Sequence, residues 1–246
     1  MGRMSGLDTS IGGGMGEMPS TRWGEFLDLE PGTEAWKAFV SAWMSRCWKP
    51  IYRYIRVGWA KGNEDAKDLT QEFMTLLLEK GYLEALSPAK GSFRGYVRTA
   101  LRHFLSNRAR DGARLKRGGG DALVSLDQAR DQGLEPADEG QAEAEFDSEW
   151  RATLLAEAIA ALGRRLSEQG RTRVYEVFQA YYVVPEGAEP PGYVDLGARL
   201  GMTETEVRHA LEAARKDLRR ALRDEVRRTV RSESEADEEF RRLFGS

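Results

Sequence analysis

Tyr193 to Glu212 reads YVDLGARLGMTETEVRHALE, and the fold class turns on this stretch. Two helices crossing steeply through a short turn need a small residue where they touch, a turn glycine and a fixed set of apolar core positions. Gly197 supplies the small contact, Gly201 the turn, and Leu196, Leu200, Met202, Val207 and Ala210 the core. Thr203 with Glu206 three residues later is a capping box that starts the second helix. The pattern predicts a helix-turn-helix. Its second helix would expose Thr205, Glu206, Arg208, His209, Glu212, Arg215 and Lys216. Such a helix reads base edges near its N-terminus and grips phosphates with the rest. Thr205, Arg208 and His209 are therefore the base-reading candidates, and Arg215, Lys216, Arg219, Arg220 and Arg223 the phosphate candidates. The plainer alternative is a helical hairpin whose arginines form a solvated face.

Outward from this motif the pattern stays helical. Trp150, Leu154-Leu155, Ala158, Ala161-Leu162 and Leu166 make one amphipathic stripe, and Val174, Val177-Phe178 and Tyr181-Tyr182 another. Pro185 to Gly192 reads as a loop. Towards the N-terminus, Trp36, Phe39-Val40, Trp43, Ile51 and Tyr54-Ile55 fall at helical spacing, with Pro50 expected to bend or break the segment. Ala66, Leu69, Phe73 and Leu76-Leu77 predict a helix from near Asn63 or Asp65 to about Lys80, stopped by Gly81. Phe93, Tyr96-Val97, Ala100-Leu101 and Phe104-Leu105 predict another. The expected fold is all-α, with two helical domains (22–111 and 150–230) joined by an acidic linker (112–149). A Gly/Met/Ser-rich tail (1–21) precedes them, and a C-terminal tail (231–246) without a derivable role follows.

The chain has 246 residues and a formal net charge of −3, which argues weakly against a nucleic-acid partner when read alone. The distribution reverses that reading. Arg94 to Arg117 carries eight Lys/Arg and one acid, Arg208 to Arg231 nine against four, and Asp127 to Glu149 nine acids against one base. Two basic blocks separated by an acidic one can bind polyanions while the sum stays near zero. Cys47, the only cysteine, leaves no disulfide framework or thiolate metal cluster, and it reads as a core thiol. No apolar run approaches a membrane span, and the glycine-rich start lacks an apolar signal core, so a reducing cytosol is expected.

Two further helices carry polar patterns. In Phe93 to Asn107, Arg94, Arg98 and Arg102 recur every fourth residue, with Tyr96, His103 and Asn107 nearby. Arginines interleaved with rings suit a nucleic acid with exposed bases, although taken alone an ordinary solvated basic helix is the better explanation. Asp65 to Phe73 opens a helix with acids, as the macrodipole favours. Asp68, Gln71, Glu72 and Thr75 share the face opposite Leu69 and Phe73.

Taken in order, these segments resemble the extracytoplasmic-function (ECF) type of RNA polymerase sigma factor, within the sigma-70 superfamily. DAKDLTQEF (Asp65 to Phe73) is similar to the helix that docks on the polymerase clamp. GSFRGYVRTALRHFLSN (Gly91 to Asn107) is similar to the helix that engages and melts the minus-ten element. Tyr193 to Glu212 resembles the motif that reads the minus-thirty-five element. KRGGG (Lys116 to Gly120) followed by VSLD (Val124 to Asp127) looks like a large-sized subgroup of that family.

The resemblance implies a sigma region 2-like bundle and a region 4-like domain, with no catalysis and no cofactor or metal. It implies polymerase contacts at Asp65, Asp68, Leu69, Gln71, Glu72 and Thr75. Minus-ten contacts would fall at Arg94, Tyr96, Arg98, Arg102, His103 and Asn107. Minus-thirty-five contacts would fall at Thr203, Thr205, Glu206, Arg208, His209, Glu212, Arg215, Lys216 and Arg219. Gly81 to Gly91 takes the place of the loop that captures a flipped base, and the acidic linker would thread the polymerase cleft. Core polymerase (clamp and flap regions) and promoter DNA are the implied partners, an anti-sigma factor is admitted, and no membrane is involved. The implied location is the bacterial cytoplasm, with the nucleoid.

The sequence departs from the family pattern in two places. Glu212-Ala213-Ala214 interrupts a stretch that is often arginine-rich, and Tyr96 stands where tryptophan is common. The main rival is a helix-turn-helix regulator that binds a palindromic operator independently of polymerase. A nucleic-acid enzyme is disfavoured, because no nucleophile with a base, metal-ligand cluster or phosphate-cradling loop is found; Gly118 to Gly120 lacks the P-loop Lys-Ser/Thr.

Overall fold

The computed structural model describes residues 29–30, 32–59, 61–78, 92–116 (111–116 through the backbone alone), 139–185 and 187–245. The described residues form eight helices: α1 (Glu34–Gly58), α2 (Asn63–Leu78), α3 (Phe93–Lys116), α4 (Glu139–Glu168), α5 (Thr172–Tyr182), α6 (Tyr193–Leu200), α7 (Glu204–Arg228) and α8 (Glu233–Phe244). None of the described residues is strand, so the described fold is all-α as expected. The stretches read as the N-terminal tail (1–21), the base-capturing loop up to Gly91 and the glycine run at Gly118 to Gly120 lie outside the described residues.

The chain divides into two compact units: Met1–Arg151 together with Arg228–Ser246, and Ala152–Arg227. In the first unit, α1 is capped by Thr33, whose Oγ1 accepts from the Trp36 N–H at 3.2 Å. The helix is not broken at Pro50. A proline here removes one backbone bond, but Cys47, Pro50, Ile51 and Tyr54 are all buried, and this packing offsets the loss. Burial also pushes the Cys47 thiol well above the ordinary range, which suits the inert core role expected of it.

Ala66, Phe73, Met74 and Leu77 of α2 and Phe93, Val97, Leu101 and Leu105 of α3 complete an apolar interior with α1. α3 runs on through Lys116, past the point where the linker was expected to begin. α4 starts at Glu139 rather than near Trp150. Its buried residues Ala142, Phe146, Trp150, Leu154, Ala158, Leu162 and Leu166 recur every fourth position, and each is fully buried. Four residues overshoot one turn by about 40°, so this stripe winds around α4 instead of following one face. The first three members lie in the first unit, where Phe146 stacks on Trp150 at 6.0 Å and meets Tyr54 edge-on at 6.3 Å.

The C-terminal stretch, for which no role was derived, is the capped helix α8. Ser232 Oγ accepts from the Glu235 N–H at 3.3 Å while Glu235 accepts from the Arg231 N–H at 2.9 Å. Ala236, Glu239 and Leu243 of α8 are buried within the first unit.

The second unit packs α5, α6 and α7 with the second half of α4. One cluster joins Val177, Leu196, Val207, Ala210 and Leu211, and another joins Leu162, Leu166, Phe178 and Ala214. The short Tyr182-Val183-Val184 run, the one strand-like pattern in the sequence, ends α5 and enters a loop.

Candidate nucleic-acid interface

In the second unit the turn between α6 and α7 is made by the residues expected to make it. Gly201 caps α6 in the left-handed conformation, with φ 64°, which a side chain rarely adopts. A Cβ on Gly197 would stand 2.6 Å from the Met202 carbonyl oxygen, so only glycine allows the chain to cross itself there. The Met202 N–H donates back to the Gly197 carbonyl at 2.9 Å. Thr203 and Glu206 form the reciprocal box. The Thr203 N–H donates to Glu206 Oε2 at 2.8 Å, and the Glu206 N–H donates to Thr203 Oγ1 at 3.3 Å. The Thr203 backbone and hydroxyl donors together hold the Glu206 carboxyl below the usual range. Leu196, Val207 and Ala210 are buried and Leu200 and Met202 pack against them, while Leu211 is a core member that the spacing argument did not name.

Thr203, Thr205, Glu206, Arg208, His209, Glu212, Arg215, Lys216 and Arg219 are all exposed. Three tyrosines flank two of the arginines. Arg208 pairs with Glu204 at 2.6 Å and lies 5.9 Å from the Tyr193 ring. Arg215 Nε donates to the Tyr182 hydroxyl at 2.6 Å, with its guanidinium 5.9 and 5.8 Å from the Tyr181 and Tyr182 rings. These contacts pre-orient two long cations at modest cost in rotamer freedom. Sequence reasoning missed the trio, whose members fall at the end of one helix and the start of the next.

In the first unit, Asp65, Asp68, Gln71 and Thr75 form an exposed stripe along α2. Leu69 and Glu72 border it half-buried, and Glu72 is joined to Arg108 at 2.5 Å. The stripe presents carboxylate, amide and hydroxyl groups to solvent.

The residues expected on α3 divide into two sets. His103 and Asn107 are exposed and Tyr96 is half-buried, and all three lie on one side, about 180–220° around the helix from Arg94. The arginines lie on another side, against α4. Arg94, expected to reach a phosphate, is 1% exposed and does not face solvent. Its Nε donates to Glu239 Oε1 at 2.6 Å, Nη2 to Glu239 Oε2 at 3.3 Å and Nη1 to Asp147 Oδ1 at 2.5 Å. Burial alone would lower its pKa, but the bonds and charges of Glu239 and Asp147 outweigh that and raise it above its usual value. Arg98 pairs with Glu143 at 3.4 Å and Asp147 at 3.7 Å, and Arg102 with Glu139 at 2.8 Å. The physical reason is that the expected linker's last residues are helical and carry their acids to this face.

Among the described residues no group of three or more His, Cys, Asp or Glu is placed to hold a metal, and no helix is long and apolar enough to cross a membrane. No curated protein and no solved structure matches the chain. The model of the ECF sigma factor family matches residues 59–224, well over half of the chain, from the end of α1 to near the end of α7. The chain therefore belongs to the ECF sigma factor family, the transcription initiation factors that act with RNA polymerase on promoter DNA.

Proposed function

We propose that this sigma factor directs core polymerase to specific promoters and holds the minus-ten region open. Asp65, Asp68, Gln71 and Thr75 of α2, bordered by Leu69 and Glu72, dock on the polymerase clamp. The exposed side of α7, led by Thr205, Arg208 and His209, reads the minus-thirty-five element. Arg215, Lys216 and Arg219 grip phosphates beside it, and Thr203, Glu206 and Glu212 border the groove. Tyr96, His103 and Asn107 of α3 engage the non-template strand, with Arg98 and Arg102 on its phosphates, whereas Arg94 pins the first unit together. Unstacking a base costs a few kcal/mol, and binding energy from polymerase and upstream DNA offsets it, so no catalytic group is required. Docking on polymerase raises the effective concentration of the second DNA site. The polymerase flap is a further contact and an anti-sigma factor an admissible regulator; the setting is the bacterial cytoplasm and nucleoid.

The observation that carries this reading is the capped helix-turn-helix with every candidate contact exposed, in a chain whose α2 displays a separate acidic and amide stripe. The test mixes the full chain with core polymerase and a genomic promoter library and sequences the transcripts. Chain-dependent start sites are expected, and Asp68→Ala with Gln71→Ala should abolish retention on a polymerase column. Identical transcripts with and without the chain, or tight binding to a symmetric operator without polymerase, would sink the proposal.

A further inference from the structure

We infer that the acidic first half of α4 is a built-in competitor for nucleic acid: it occupies the arginine face of α3, so that DNA engages this face only when α4 gives way. The observation is one of register. Arg94, Arg98 and Arg102 rise along α3 in steps of four, and their partners Asp147, Glu143 and Glu139 fall along α4 in the same steps. Four residues span about 6 Å of helix, so α4 presents an evenly spaced line of anionic oxygens to the guanidiniums. A nucleic-acid backbone presents its phosphates in the same manner, and guanidinium groups bind carboxylate and phosphate through the same donors.

What holds α4 there differs from what it covers. The Arg98 and Arg102 pairs are partly exposed, with side chains 26% and 46% accessible, and such pairs contribute little to stability. The anchors are Phe146 and Trp150, fully buried in the first unit, and Arg94, which is also tied to Glu239 of α8. The acids at 139 and 143 are therefore placed where they cancel positive charge while adding little to the packing. Cancelling charge near a binding face suppresses weak, sequence-independent association, which depends on phosphate neutralisation. The free chain would stay off non-promoter DNA, and its arginines would become available to phosphates once α4 is displaced.

This inference rests on the reading of α3 as the promoter-melting helix, and the experiment separates the two. The full chain and its Glu139→Gln/Glu143→Gln variant are titrated against a fluorescein-labelled single-stranded 20-nucleotide DNA across a salt series. The variant should bind at least about fivefold more tightly at low salt, with a log-log salt slope steeper by about 1.4, two phosphate contacts at about 0.7 each. Adding Arg98→Gln and Arg102→Gln should remove the gain. Should the double variant lose its helical circular dichroism, Glu139→Gln alone serves, with an expected slope change of about 0.7. Unchanged affinity and slope in the folded variant overturn the competitor role. If Arg98→Gln/Arg102→Gln still impairs polymerase-dependent promoter opening, the melting role of α3 survives that result. If it opens promoters like the parent chain, both readings fall.

Discussion

Replacing Glu239 by alanine should unlock the first unit from its C-terminal end. The Glu239 side chain is 4% accessible and accepts two of the three hydrogen bonds that Arg94 donates to carboxylates, while the guanidinium itself is 1% accessible. Removing one partner of a buried ion pair costs about 3–5 kcal/mol, because the other charge is left buried without compensation. Asp147 stays at 2.5 Å from Arg94, so the expected loss lies near the lower end, about 3 kcal/mol. All six tryptophans precede Ala152, where the second unit begins, so tryptophan emission during urea denaturation follows the first unit. With a slope of about 2 kcal/mol per molar urea, the midpoint should fall by about 1.5 M. Glu238→Ala, at an exposed position of the same helix, should leave it in place. A fall below about 0.3 M, or an equal fall in the Glu238 control, would refute the argument that this buried pair secures α8. Arg94→Met with Glu239→Leu should recover most of the loss, since an apolar pair of similar volume removes both desolvated charges.

Gly197→Ala should loosen the helix-turn-helix by about 1–3 kcal/mol, because its Cβ meets a backbone oxygen that cannot rotate away. Hydrogen exchange across 193–212 should quicken while α1 is unaffected. Thr203→Ala should cost about 1 kcal/mol by removing a side-chain cap, seen as faster exchange in the first turn of α7. The cap also weakens as pH falls through the lowered Glu206 pKa, since the carboxylate form makes the bond. Burial, reinforced by Glu139 and Glu143, pushes the Tyr54 phenol up to about 12. The neutral form is thus the one the fold favours. Its contribution is complete below the unfolded value of about 10 and is lost between about pH 10 and 12, roughly 2–3 kcal/mol in all. Alkaline denaturation of Tyr54→Phe, read by tryptophan emission, should lack that step; an unchanged profile would discount it.

The sequence by itself determined what depends on neighbours a few residues apart. Gly197, Gly201 and the Thr203–Glu206 box act within single turns, so spacing alone announced the helix-turn-helix and its exposed face. The Asp68, Gln71, Thr75 stripe on α2 was legible for the same reason, as a simple helical period. The start of α4 was nearly legible. Ala142 and Phe146 continue the four-residue stripe of Trp150, but surrounding acids gave the stretch the composition of a linker. Only the tertiary structure decided which side of α3 is covered. Arg94 meets a carboxylate 145 residues away and Arg102 one 37 residues away, and no period within one helix encodes the register between two. An evenly spaced row of arginines looks the same in sequence whether it faces water, a phosphate backbone or another helix. Burial settles the matter, because a guanidinium taken out of water must carry its counter-charge with it.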